Sequence, residues 1–226
     1  MQPSRIVSVT ILDDHQSIVD GYVSRLSANP EIKVVATLSL GEELEPSLAK
    51  FATDVLILDV NVPVSADNPS PYPILHVIPK LLLLYPRMNI LVISMYAERG
   101  LIRAVMEAGA NGYVLKDDRT TIIDLGNVVL LIANGGIYFS QKAHQLFLNY
   151  QISKTGYALS ARQLEALALC AAYPNSLTSE LAGEMAISNS TFRNLLSGAY
   201  IKLDVRTRAA AVAKAQSEGI ITPNSP

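Results

Sequence analysis

The chain of 226 residues contains no tryptophan, one cysteine and few aromatic side chains, which make up 6% of it. A lone cysteine, Cys170, excludes a disulfide framework and a cysteine-based zinc site within the chain. The scarcity of aromatic residues argues against a carbohydrate-binding surface. No apolar run is long enough to span a bilayer, and the first residues lack the apolar core of a signal peptide. We therefore expect a soluble, cytoplasmic, globular protein without a membrane partner.

Charge is also sparse, since charged residues make up 17% of the chain and the net charge is −2. The balance changes along the chain. Residues 1–150 carry 11 basic and 15 acidic side chains, whereas residues 151–226 carry seven and five. An acidic first part and a slightly basic second part suggest two domains with different partners. The basic excess is too small to establish nucleic-acid binding by itself.

Half of the sequence is hydrophobic, and its first part alternates short apolar runs with amphipathic segments. Runs such as Val55–Leu58 predict buried strands, and the segments between them predict helices, in five successive βα units. This order predicts a doubly wound α/β domain with a five-stranded parallel sheet over residues 1–136. A polar stretch at 137–156, with a short helical pattern at 141–150, predicts a linker. Residues 157–226 show only helical periodicity, which predicts an all-α domain of four short helices.

Five polar residues follow the predicted strands, at the carboxyl ends where sites gather in parallel sheets. They are Asp13, Asp14, Asp59, Ser94 and Lys116. Adjacent carboxylates repel one another unless a cation joins them, and oxygen ligands of this kind suit Mg²⁺. Asp59 would then attack phosphorus, while Lys116 offsets charge and Ser94 holds a phosphoryl oxygen. Each residue alone has an ordinary explanation, such as a helix cap for Asp14, but together they favour phosphoryl transfer.

The sequence around these residues resembles the receiver domain of two-component response regulators over residues 6–134. The matching segments are ILDDH at 11–15, LILDVNVP at 56–63, VISMY at 92–96 and AGANGYVLKDD at 108–118. The resemblance implies a flavodoxin-like fold and phosphorylation of Asp59 by a sensor histidine kinase. It implies a Mg²⁺ site formed by Asp13, Asp14, Asp59 and the backbone carbonyl of Asn61.

The same resemblance implies that Ser94, Lys116 and Tyr113 sense the phosphate, and that Ser94 and Tyr113 move inward when Asp59 is phosphorylated. One segment departs from the family pattern. Residues 64–73 are an insertion whose three prolines and lack of periodicity predict a loop beside the phosphorylation site. This loop could shape the choice of kinase, shield the phosphate from water, or have no role.

The second part contains a predicted helix, 188–203, that begins with a serine capping signal and follows another helix after a short turn. Its polar face suits insertion into the major groove of DNA. Residues 157–221 resemble the LuxR-type helix-turn-helix domain of the NarL/FixJ subfamily, with ELAGEMAISNSTFRNLLSGAYIKLDVRTRAAAVAKA at 180–215 as the longest matching segment. The resemblance makes 188–203 the recognition helix and implies binding to double-stranded DNA.

The residues expected to face DNA are Ser190, Thr191, Arg193, Asn194, Ser197 and Lys202. The resemblance also implies a homodimer when the protein is active, with contacts through Arg206, Ala209, Ala210 and Ala213. Three positions depart from the family pattern. The family usually has Lys where this chain has Ser179, His or Arg where it has Leu195, and Asn where it has Gly198. Each missing cation removes one phosphate contact and reduces the salt dependence of binding. Gly198 inside a helix also costs roughly 1 kcal/mol relative to Ala.

The leading hypothesis is a phosphorylation-dependent transcription regulator, which is not an enzyme beyond assisting its own phosphorylation and dephosphorylation. One alternative is a phosphorylation-independent or protein-interaction regulator, which the weakly basic second part would suit. A remote alternative is a haloacid-dehalogenase-like phosphatase. In those enzymes a second aspartate, two residues after the nucleophile, acts as acid and base, and Asn61 at that position cannot do so.

Overall fold

A computed structural model describes residues 5–152 and 159–223. Within these residues an α/β domain is followed by four further helices, as predicted. The strands are β1 Val7–Leu12, β2 Ile32–Leu38, β3 Val55–Leu58, β4 Pro63–Ser65, β5 Asn68–Pro71, β6 Asn89–Ser94, β7 Gly112–Leu115 and β8 Tyr138–Phe139. No helix in the described ranges has both the length and the apolar character needed to cross a membrane.

Eleven α-helices occur in the described parts of the chain, and a 3₁₀ turn at Gly41–Glu43 leads into the second. They are α1 Gln16–Ser27, α2 Leu44–Lys50, α3 Ile74–Leu84, α4 Arg99–Glu107, α5 Arg119–Ile123, α6 Leu125–Ala133, α7 Gln141–Ile152, α8 Ala161–Ala172, α9 Thr178–Glu184, α10 Asn189–Lys202 and α11 Arg208–Ser217. A single helix is predicted over 121–133, whereas the chain breaks at Asp124 into α5 and α6.

The centre of the α/β domain is a parallel sheet of six strands in the order β2-β1-β3-β6-β7-β8. The side chains of α1 and α6 pack on one face of this sheet, and those of α2, α3 and α4 pack on the other. Every side chain of β3 is therefore buried, which explains its uninterrupted apolar sequence. The doubly wound fold is confirmed, and the order of strands brings the carboxyl ends of β1, β3, β6 and β7 to one edge.

The sixth strand corrects the prediction of five. The sequence predicts a linker at 137–156, but Tyr138–Phe139 pairs in parallel with β7. The amide of Tyr138 donates to the carbonyl of Asn111, and the amide of Ser140 donates to that of Tyr113. A strand of two residues gives no alternating pattern that a sequence could show. Helix α7 begins two residues later, and the predicted boundary at 156–157 lies outside the described residues.

The insertion at 64–73 is a β-hairpin and not the predicted loop. Strands β4 and β5 pair antiparallel across a two-residue turn at Ala66–Asp67. The amide of Asn68 donates to Ser65 Oγ, and that of Tyr72 donates to the carbonyl of Val62. Proline is compatible with such a ribbon, because each strand is an edge strand and needs only part of its amides for pairing. The prolines therefore predict a loop where the chain forms a pair of strands.

The last four helices pack around Phe192, which is fully buried, and their buried apolar side chains are continuous with those of α2, α3 and α4. Cys170 lies inside this core as an unpaired thiol, and burial raises its pKa to about 11, so it stays protonated. Gly198 in α10 is explained by the side chain of Gln163 in α8. A Cβ atom at Gly198 would lie 2.6 Å from Gln163 Nε2, so glycine permits this close approach of the two helices.

Candidate functional site

The predicted site residues are held at the sheet edge by main-chain hydrogen bonds. The amide of Asp13 donates to the carbonyl of Leu38, and the amide of Asp59 donates to that of Leu12. The amide of Lys116 donates to the carbonyl of Ser94. Each bond continues the strand ladder one residue beyond its strand. The backbone therefore fixes the positions of these residues at the sheet edge. The sequence predicted these positions from the ends of the strands alone.

Lys116 joins two of the carboxylates. Its Nζ atom lies 2.7 Å from Asp13 Oδ2 and 2.8 Å from Asp59 Oδ2. All three side chains are at least 96% buried. Burial lowers the pKa of Lys116, but the charges of Asp59 and Asp13 outweigh it, and the net pKa is raised above its ordinary value. The lysine is therefore charged at neutral pH and offsets part of the negative charge of the pocket.

The two oxygens of Asp59 have different partners. Oδ2 accepts from Lys116, while Oδ1 accepts from the amide of Val60 at 2.7 Å. These bonds fix the orientation of the carboxylate. Burial raises the pKa of Asp59, Lys116 lowers it, and the nearby Asp13 raises it, so that the net pKa is above its ordinary value. The pocket thus favours occupation by an additional positive charge.

An acidic cluster opens towards solvent beside this ion pair. Asp13, Asp14, His15 and Asp59 each offer a ligand atom, and these atoms lie within 4.8 Å of one another. Three of the four donors are carboxylate oxygens, which fit a hard divalent cation such as Mg²⁺. Asn61 is half-buried near the cluster, and the role of its carbonyl stays a prediction.

His15 is a member of this cluster that the sequence analysis did not select. Its Nδ1 atom lies 2.8 Å from Asp14 Oδ1 and 3.3 Å from Asp13 Oδ1, and its amide donates to Asp13 Oδ1. Asp14 is 32% exposed, whereas Asp13 is almost fully buried. The signal was present in the sequence, since His15 directly follows the two aspartates.

Ser94 and Tyr113, the other predicted sensor residues, are both fully buried. Ser94 Oγ accepts from the amide of Tyr96, and the Tyr113 hydroxyl donates to the carbonyl of Tyr96 at 2.8 Å. Burial raises the pKa of Tyr113, so its hydroxyl stays protonated and remains a donor. The Tyr113 ring is already buried in this structure, and the inward movement expected on phosphorylation stays a prediction. Helix α7, which packs on α4 and β7, covers this side of the domain.

Five of the six residues predicted to face DNA form an exposed row on α10. They are Ser190, Thr191, Arg193, Asn194 and Ser197. Ser188 caps the helix, because its Oγ accepts from the amide of Thr191. Lys202 differs, since it is half-buried and donates to Gln163 Oε1 at 2.9 Å. The structure thus brings five residues to one accessible surface and assigns Lys202 a contact between helices.

The predicted dimer contacts are also accessible. The side chains of Arg206, Ala209, Ala210 and Ala213 are all exposed, at the start and along one side of α11. The rest of α11 anchors the helix, because Ala211 and Ala215 are fully buried. Arg208 donates to the carbonyls of Tyr173 and Ser176, so it holds α11 against the end of α8.

Comparison with known proteins matches residues 9–125 to the response regulator receiver domain family. The chain is 28% identical to the transcriptional regulatory protein DegU of Brevibacillus brevis, over 94% of each chain. It is 26% identical to the transcriptional regulatory protein DesR of Bacillus subtilis, over 95% of this chain and 98% of the other. Its fold is similar to that of RcsB of Salmonella enterica serovar Typhimurium bound to promoter DNA with the phosphomimetic BeF₃⁻. That similarity has a TM-score of 0.65 at 24% identity, over 93% and 98% of the two chains.

Proposed function

The chain belongs to the response regulator receiver family and is a response regulator of the NarL/FixJ type, and we propose that phosphorylation of Asp59 controls its binding to DNA. Its partners would be a sensor histidine kinase, double-stranded DNA and, in the active state, a second copy of the chain. These partners place its action in the cytoplasm. The relatives named as transcriptional regulatory proteins span nearly the whole chain, which supports this assignment for both parts.

The observation that carries the proposal is the contact of Lys116 with both Asp13 and Asp59 in a buried pocket. Removing a lysine and two carboxylates from water is costly, so their burial in one pocket indicates a function beyond stability. Phosphoryl transfer is such a function. The aspartate gains a dianionic group, and a lysine already in contact with the acceptor oxygen can follow that charge.

In the reaction, a carboxylate oxygen of Asp59 forms a bond to phosphorus. The bond from phosphorus to the donor atom breaks, and its electron pair leaves with the donor, which is a histidine nitrogen of the kinase or an oxygen of a small phosphodonor. Lys116 stabilises the negative charge of the phosphoryl oxygens, and Ser94 would donate its hydroxyl to one of them. The same pocket would assist the later attack of water that returns Asp59 to its free form.

We assign a Mg²⁺ site to Asp13, Asp14, Asp59 and the carbonyl of Asn61, supported by the oxygen-rich acidic cluster. When bound, the ion would supply positive charge to the phosphoryl oxygens during transfer. Asp13 and Asp14 would be its main protein ligands, since they do not take part in the covalent step. His15 would hold Asp14 in place through its hydrogen bond.

The exposed row on α10 supports DNA binding, because a capped amphipathic helix with an accessible polar face is the form that enters a major groove. A direct test isolates DNA sites from a random pool with the protein and then measures affinity by fluorescence anisotropy. Phosphodonor and Mg²⁺ should change the affinity of wild type and leave that of Asp59→Asn unchanged. If the two proteins respond alike, phosphorylation of Asp59 does not control DNA binding.

A further inference from the structure

A crevice between helices α1 and α5 reaches Lys116 from the surface of the α/β domain. Its volume is about 170 Å³, and its lining includes Ser17, Ile18, Tyr22, Arg25, Lys116 and Ile122. Lys116 and Tyr22 are almost fully buried and form its inner end, whereas Ser17 and Arg25 are exposed and form its mouth. The lysine that contacts Asp59 can therefore also be approached from this second side.

The hydroxyl of Tyr22 is buried in this region without a hydrogen-bond partner among the described residues. The whole residue is only 3% exposed. Burying a hydroxyl without a partner destabilises a fold, and phenylalanine would fill the same space without that penalty. An unpartnered buried hydroxyl of this kind calls for a physical explanation, and a ligand that completes the hydrogen bond provides one.

The electrostatic surroundings of Tyr22 keep its hydroxyl a donor. Burial raises the pKa of Tyr22, the charges of Asp13 and Asp59 raise it further, and the charge of Arg25 lowers it. The net pKa is above the ordinary value of 10.0, so the hydroxyl is protonated at neutral pH. The guanidinium of Arg25 is close enough to act on this hydroxyl, so one small ligand can contact both groups.

The polar groups around the crevice are mainly hydrogen-bond donors. Lys116 is charged and has three N–H donors. Arg25 has five, and its Nη1 donates to the carbonyl of Gly21 at 2.8 Å, which leaves further donors for a ligand. No acidic residue belongs to the described part of the lining. A ligand that satisfies these groups must bring acceptor oxygens, and a negative charge on them matches the two cations.

The walls between these polar groups are apolar. Ile18 of α1 and Ile122 of α5 are half-buried and border the crevice from different helices. The crevice is smaller than pockets for drug-sized molecules, which measure about 300–1,000 Å³, so its ligand has only a few non-hydrogen atoms. A short aliphatic chain would bury apolar surface against the two isoleucines, and inorganic phosphate would not.

We infer that the crevice between α1 and α5 binds a small aliphatic monocarboxylate of about two to four carbon atoms. The carboxylate accepts hydrogen bonds from the Tyr22 hydroxyl and the Arg25 guanidinium, and Lys116 attracts it from the inner end. The aliphatic chain lies between Ile18 and Ile122. The α/β domain would thus respond directly to a small molecule, in addition to receiving a phosphoryl group.

The crevice and the phosphorylation pocket share one cation, because Lys116 lines the first and contacts Asp59 in the second. A carboxylate in the crevice competes with Asp59 for the charge of this lysine. Asp59→Asn removes the competitor and one of the negative charges that act on Tyr22. We therefore expect Asp59→Asn to bind the carboxylate about fivefold more tightly than wild type.

A ligand-observed NMR titration of the full chain with sodium butyrate tests the site. Wild type should bind butyrate saturably, with a Kd of about 1 mM or below. n-Butylamine has the same chain with the opposite charge, and inorganic phosphate has negative charge without the chain. Neither should bind at concentrations at which butyrate saturates the protein. No phosphodonor is present, so the result does not depend on phosphorylation of Asp59.

Two variants with matched controls locate the site. Tyr22→Phe keeps the ring and removes the hydroxyl, and Arg25→Gln removes the cation. Each should weaken butyrate binding about tenfold or more. The controls are Tyr72→Phe, at another buried tyrosine, and Arg87→Gln, at another exposed arginine, and both should bind butyrate as wild type does.

Thermal unfolding without ligand separates loss of binding from loss of fold. Tyr22→Phe should unfold at the temperature of wild type or above it, because it loses an unpartnered hydroxyl. A folded Tyr22→Phe that binds butyrate as tightly as wild type would overturn the inference, as would a wild type without saturable binding. Equal binding of phosphate or n-butylamine would overturn the assigned ligand class. An unchanged affinity in Asp59→Asn would overturn the placement of the carboxylate beside Lys116.

Discussion

Nζ of Lys116 lies 2.8 Å from Oδ2 of Asp59, in a pocket where both side chains are 4% exposed. The same nitrogen lies 2.7 Å from Asp13, so that one cation serves two buried carboxylates. In Lys116→Met the carboxylates of Asp13 and Asp59 would face each other without a cation between them. Removing one partner of a buried ion pair costs about 3 kcal/mol or more, and we expect the free energy of unfolding to fall by that order.

Urea denaturation with and without Mg²⁺ measures this effect. Because the ion would replace part of the lost charge, Mg²⁺ should stabilise Lys116→Met more than wild type. The control is Lys142→Met, since Lys142 is exposed and lies 3.8 Å from an exposed Asp117. Its stability should change by less than about 0.5 kcal/mol. Equal stability of the two variants would contradict the role given to Lys116.

The pH dependence of stability should show the contribution of ionised Asp54. This residue precedes β3, and its carboxylate accepts hydrogen bonds from the amide and hydroxyl of Ser8. Burial raises the pKa of Asp54, but these bonds and the ion pair with Arg5 outweigh it, so the net pKa is below its ordinary value of 3.8. A lowered folded-state pKa stabilises the fold above the ordinary value, and this contribution is lost as pH falls through the folded-state pKa. Asp54→Asn should cost about 1–2 kcal/mol at neutral pH.

Denaturation series across the acidic range test this point. The difference in stability between wild type and Asp54→Asn should shrink as the pH falls below about 4. Asp67→Asn, at the exposed turn of the hairpin, serves as a comparison and should show little difference at any pH. A gap for Asp54→Asn that stays constant down to low pH would refute the assignment.

Two glycines in helices should respond differently to alanine. At Gly183 in α9 nothing lies within 4 Å of the new Cβ, so alanine should raise the stability by up to about 1 kcal/mol. At Gly198 the Cβ would meet Gln163 Nε2 at 2.6 Å. Gln163 cannot move freely, because its Oε1 accepts from the amide of Ser160 and from Lys202. Gly198→Ala should therefore gain less or lose stability in thermal unfolding, and an equal gain at both positions would disprove the packing explanation.

The salt dependence of DNA binding should identify Arg193 as a DNA contact. Arg193→Ala removes one cation from the exposed face of α10, so the slope of log affinity against log salt should decrease by about one. Arg87→Ala removes an exposed arginine from the α/β domain and should leave the slope unchanged. The same slope for both variants would place the DNA interface elsewhere.

The strand ends could be predicted because local sequence determines them. A four-residue apolar run such as Val55–Leu58 has to be buried on both faces, and the polar residue that follows must lie at the sheet edge. Asp13, Asp59 and Lys116 were found in this way. The exposed face of α10 could be predicted equally well, since a capping residue and helical periodicity define it in the sequence.

The remaining features depend on contacts that local patterns do not encode. His76 and Glu165 are far apart in the chain, so neither residue indicates its partner. The prolines of the insertion suggest a loop, although Asn68 and its neighbours form a hairpin. Strand β8 has only two residues, and Lys202 binds Gln163 instead of lying with the other polar residues of its helix. Tertiary packing decided each of these cases.

The most direct test of the account is the intact mass of the full chain after incubation with Mg²⁺ and a small phosphodonor. We expect the mass of one phosphoryl group on wild type and none on Asp59→Asn, because the acceptor oxygen beside Lys116 is lost. Removal of Mg²⁺ with a chelator should abolish or strongly slow the addition. An equal addition to both proteins, or none to folded wild type with either the phosphodonor or a phosphorylated histidine kinase, would contradict Asp59 as the phosphoacceptor.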